Sequence, residues 1–196
     1  MRIGRIMAVA GALIIGSASS AAAQPAAAPK PDDTVNNPPF AHWSAFKPGT
    51  TVTQKQVVSL SDGRKVEHVI TTKLLQKSKE RVVVETTVKD NAKGMVESTR
   101  TVTSYPAKVK AGQVHTPATA DVSVTEGKEE VTVKGQKAAA EWVEAVTRNG
   151  DEVWTEKMWT ARDIPGGIIK QTLVHKRGDK VVSESVLEVV AFKHGS

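Results

Sequence analysis

Arg81-Val82-Val83-Val84-Glu85-Thr86-Thr87-Val88-Lys89-Asp90 decides the fold class. Val82, Val84, Thr86 and Val88 fall on one side of an extended chain, with Val83, Glu85, Thr87 and Lys89 on the other. Successive strand side chains point to opposite faces, so this pattern suits a pleat. β-branched residues lose rotamer freedom in a helix and pack well on a sheet. Working outward, Val66, His68, Ile70, Thr72 and Leu74 alternate with Glu67, Thr71 and Lys73, and Val131 and Val133 alternate with Thr132 and Lys134. From Gln24 onward the chain holds 27 Val and 19 Thr against 5 Leu, which extends the β reading to the whole.

Turn signals punctuate these runs at Asp62-Gly63, Asn91-Ala92-Lys93-Gly94, Asn149-Gly150-Asp151 and Gly178-Asp179. The resulting strands are 50–60, 65–77, 81–90, 95–105, 129–135, 138–147, 152–161, 167–176 and 180–193. Turns this short make neighbouring strands antiparallel. The expected fold is mainly β: a single curved antiparallel sheet or open half-barrel of about nine strands, with little helix. Lys137 to Val146 (KAAAEWVEAV) fits either a helix, with Ala139, Trp142, Val143 and Val146 on one face, or a strand. Tyr105 to Ala120 is a long connection that divides the strands into a group of four and a group of five.

The first residues have the order of a secretory signal: Arg2 and Arg5, an apolar run from Ile6 to Ile15, then Ala21-Ala22-Ala23. The run is about half of the ~20 residues a membrane-spanning helix needs. Residues 1–23 are read as a cleaved signal peptide, 24–39 as a disordered Pro/Ala-rich tether and 40–194 as the β domain. The expected location is periplasmic or extracellular, with no transmembrane span in the mature form. Phe40, Trp43 and Phe46 recur every three residues, which predicts a helical turn whose aromatics cap one end of the core. The chain has no Cys, so no disulfide supports the fold and thiol chemistry is excluded. Roughly 150 residues suffice for a core without staples.

Loss of Arg2 and Arg5 leaves the mature chain at +4 rather than +6. The basic residues are dispersed without an aromatic platform, so nucleic acid is not an expected partner, and weak contact with an anionic membrane is the remaining electrostatic reading. His42, His68, His115, His175 and His194 lie too far apart in sequence for a zinc motif, and no calcium loop, nucleophile elbow, phosphate loop or dinucleotide turn occurs. No catalytic residue, metal ligand or cofactor is nominated. The eight aromatics, four of them Trp, are the more informative residues. Trp154 and Trp159 are five positions apart and must face opposite sides of a strand. Trp43, Phe46, Trp142, Trp159, Ile164 and Pro165 are the candidate ligand-binding residues, with Trp159, Ile164 and Pro165 as the lip of an apolar pocket.

Two resemblances follow from these residues. Pro39-Phe40 to Trp43, Phe46, Gly49 and Val52, with the string Trp159-x-x-x-x-Ile164-Pro165-Gly166-Gly167-x-Ile169-Lys170, resemble a group of uncharacterised exported bacterial proteins. Gly135-Gln136-Lys137 to Trp142 looks like that group's Gly-Lys-x-x-x-x-Trp strand, although Ala140 stands where the group often has Cys. More remotely, the expected architecture resembles the half-barrels of periplasmic lipoprotein carriers, which hold acyl chains on a concave face. That likeness implies an apolar ligand or a lipidated partner, the alternative being a structural or interaction module of the cell envelope.

Overall fold

The computed structural model describes residues 32–92, 95–111, 121–133 and 135–196. The signal segment 1–23, most of the tether and His115 lie outside them. The expected nine long strands form one antiparallel sheet: β2 (Thr51–Leu60), β3 (Lys65–Lys77), β4 (Arg81–Ala92), β5 (Met95–Pro106), β7 (Asp121–Val133), β8 (Gln136–Asn149), β9 (Glu152–Thr160), β10 (Ile168–Arg177) and β11 (Lys180–Lys193). Their order is β5-β4-β3-β2-β11-β10-β9-β8-β7, so the groups of four and five meet at β2 and β11. The two edges, β5 and β7, do not pair with each other, and the sheet stays open rather than closing into a barrel.

Two boundaries differ from the sequence reading, and one open alternative comes out as strand. β7 begins at Asp121, eight residues ahead of the expected strand. Within the range read as tether, Thr34–Asn36 (β1) pairs with Lys108–Lys110 (β6), with Val35 opposite Val109. Asn37 fixes this crossing: its N–H donates to the Ala107 carbonyl at 3.0 Å and its side-chain amide to the Pro106 carbonyl at 2.7 Å. The helix-or-strand segment is strand β8, paired with β7 on one side and β9 on the other. The expected helical turn is α1 (Pro38–Ser44), with Pro near its start where a missing N–H costs nothing.

The buried cluster gathers at one end of the sheet. It joins Trp43 and Phe46 with Val52, Leu74, Val82, Val84, Val133, Trp159, Ile164 and Ile169. Bulges between Leu74 and Gln76, between Ile168 and Lys170, and between Val189 and Ala191 fall at the same end. A bulge bends its strand and sharpens the local twist. The effect is visible between β7 and β11, four strands apart and about 19 Å distant in a flat sheet. Glu129, Val131 and Val133 of β7 nevertheless share one cleft with Glu188 and Val189 of β11, so the sheet curls.

Candidate functional site

The curl is held by three segments that meet over the cluster. The turn 161–167 is closed by Gly167 N–H to the Ile164 carbonyl at 2.8 Å and by Ala161 N–H to the Gly167 carbonyl at 2.9 Å. Helix α1 lies on it. A Cβ on Gly167 would sit 2.2 Å from His42 Nδ1, and one on Gly166 would sit 3.1 Å from the Trp43 ring. Both glycines also have positive φ, 77° and 78°. The Pro-Gly-Gly string is therefore a seat for α1. Burial holds the His42 imidazole below the ordinary histidine pKa. The third segment is the C-terminal tail: Gly195 N–H donates to Thr50 Oγ1 at 2.8 Å, and His194 stacks on Phe46 with ring centroids 5.7 Å apart.

Beside this junction lie two clefts that share Val133. The first, of about 330 Å³, is walled by Val131, Val133, Trp159, Ile169 and Val189, with Glu129, Lys170 and Glu188 among its lining. The second, of about 490 Å³, is walled by Val133, Ala138, Ala139, Ala161, Ile164 and Phe192, with Lys137, Asp163 and His194. The charges are partly matched already: Lys170 lies 2.9 Å from Glu188 and Lys137 2.6 Å from Glu130. Trp159 donates its indole N–H to Glu129. Lys157 places its ammonium 4.1 Å from the Trp142 ring centroid and 4.7 Å from that of Trp159, a cation–π bridge between β8 and β9.

Of the residues singled out from sequence, Trp159 lines the first cleft and Ile164 the second. Trp43 (5% exposed) and Phe46 (9%) are packed in the cluster, and Pro165 is fully buried beneath the turn. Trp142 is half-buried against the cluster, its ring lying across β7 at Gly127. The residues missed are the cleft walls Val131, Val133, Ile169, Val189 and Phe192, which alternation alone does not set apart, and the small residues of β8. Ala138 and Ala139 interrupt a chain otherwise rich in Val and Thr, and small side chains in a strand are the signal that space lies beside it.

Two histidine–carboxylate pairs lie outside these two clefts. His68 Nδ1 bonds Asp90, and His175 Nε2 bonds Glu152 while its ring stacks on Trp154 at 4.8 Å. The bond from His175, and then that from Arg177, hold Glu152 below the usual carboxylate range. Glu156 is pushed up by burial, an effect opposed by the hydrogen bond from Gln171. By strand register these groups share the Trp154 face, which on β3 and β4 is also the face of Leu74 and Val84. Among the described residues no group of three or more His, Asp or Glu side chains is placed to hold a metal ion.

No family model and no curated protein matches the chain. A solved structure from Bacteroides fragilis, provisionally described as an exported protein with a YmcC-like fold, aligns with a TM-score of 0.45 at 15% identity, covering 76% of this chain and 97% of that one. The likeness to lipoprotein carriers has no counterpart among these matches.

Proposed function

We propose that this is an exported, non-catalytic binding protein that holds an apolar ligand, or the acyl chain of a lipidated partner, in the two neighbouring clefts. The observation that carries the reading is that two clefts, of about 330 and 490 Å³, lie side by side against Val133, each with apolar walls and charged groups in its lining. Small-molecule sites are of this size. The signal-like order of residues 1–23 supports export to the periplasm or beyond. Among the described residues no helix is long and apolar enough to cross a membrane.

The test is to express the full chain, purify the processed protein from the envelope fraction and identify co-purifying lipids by mass spectrometry, alongside titration with an apolar fluorescent probe. A stoichiometric amphiphile, or saturable probe binding displaced by fatty acid, is expected. An empty protein that binds no apolar probe overturns the reading.

A further inference from the structure

We infer that β7 is a self-pairing edge, and that two copies of this chain join their sheets antiparallel about a two-fold axis at Gly127. β7 pairs with β8 on one side, and among the described residues nothing pairs with its other side. It runs 13 residues, Asp121–Val133, and Gly127 is its midpoint. An exposed strand of this length presents a row of free N–H and C=O groups.

The charges around the midpoint are self-complementary. With the axis at Gly127, Glu126 of each copy falls opposite Lys128 of the other, and the symmetry makes this pair twice. In the isolated chain Glu126 faces Val143 across β8 and makes no ion pair among the described residues. Lys128 lies 3.1 Å from Glu141 with its side chain 82% exposed, so it can bridge its own Glu141 and the second copy's Glu126. The midpoint is also smooth. The Trp142 indole lies across Gly127, where a Cβ would come within 2.6 Å of the ring. Two such indoles would flank the axis and cover the glycine pair, as aromatic side chains do for edge glycines.

The other edge lacks this symmetry. Among the described side chains of β5 Arg100 is the only charged one, so a two-fold axis on that strand sets no opposite charge against it. Arg100 is bonded to Glu85 within its own sheet. Pairing of β7 with itself closes at two copies, whereas β7 on β5 would run on as a filament.

Sedimentation equilibrium of the purified protein tests this with a charge swap. Wild type is expected to dimerise. Lys128→Glu and Glu126→Lys each set like charges opposite twice and are expected to weaken the dimer about tenfold or more. The double variant E126K/K128E, which cannot restore the intrachain Lys128–Glu141 pair, is expected to recover wild-type association to within about threefold. Circular dichroism checks that each variant is folded. A wild type that stays monomeric at about 100 μM, or a double variant as weak as the singles, overturns the inference. So does a dimer broken by Thr101→Pro in β5 and indifferent to the swap.

Discussion

Glu129 on β7 accepts a hydrogen bond from the indole N–H of Trp159 on β9, across the intervening strand β8. Ala140 stands opposite Glu129 on β8, 3% exposed, and its small side chain leaves the indole room to reach. The bond ties the edge strand to the sheet's interior and forms part of the first cleft. Trp159→Phe removes the donor and also trims a buried bicyclic ring to a single one. It is expected to cost about 2–4 kcal/mol in urea unfolding, from the lost bond to a charged acceptor together with the lost packing. Ala140→Leu is expected to cost about 1–3 kcal/mol through overpacking and to loosen β7, read as faster amide exchange along that strand.

Gly167→Ala meets two penalties at once: a Cβ 2.2 Å from His42 Nδ1 and a φ of +78°. The expected loss exceeds about 2 kcal/mol. In a His42→Ala background the steric part disappears, and the same substitution is expected to cost only the ~1–2 kcal/mol of the left-handed backbone. Equal costs in both backgrounds, from urea midpoints, would show that α1 does not seat on the turn.

The half-buried His42 also sets a pH dependence. Its folded pKa lies below the ordinary value of 6.5, so between the two values the unfolded chain binds the proton and the folded one does not. Its stabilising share is present above pH 6.5 and is lost as pH falls from there towards the folded pKa. Glu152 acts in a more acid window: its folded pKa lies below 4.5, and its share is lost as pH falls from 4.5 through that lower value. Thermal melts against pH are expected to flatten in the first window for His42→Gln and in the second for Glu152→Gln.

Occupying the second cleft is expected to weaken ligand uptake. Ala138→Phe places a ring where the half-buried Ala138 now borders that space. It should lower apolar-probe affinity at least about tenfold at a stability cost of about 1–3 kcal/mol. Trp154→Phe, on the opposite face, is expected to leave probe affinity unchanged.

Much of this architecture is legible in the residues. Alternation in Arg81–Asp90 and its neighbours yields nine strands, and Trp154 and Trp159 are assigned to opposite faces by parity alone. The early part of β7 escapes because an edge strand, paired on one side and mostly exposed, has no need of an apolar alternation, and Asp121–Lys128 is largely polar. β1 escapes because its anchor is the Asn37 amide, reaching a carbonyl 69 residues away. KAAAEWVEAV reads as helix on propensity, but helix preferences are worth under about 1 kcal/mol per residue and yield to a ladder of partners on both sides. The clefts were the least legible feature. They arise where bulges fold β7 towards β11, and no local pattern announces that meeting.

The seam between β2 and β11 has a consequence in time. Leu60 and Ser183 are opposite one another, so the first long strand finds its partner only when the last has been made. Until then the two halves are separate meanders, and bringing such distant residues together is slow. The halves become one sheet only when β11, the last strand of the chain, is in place beside β2.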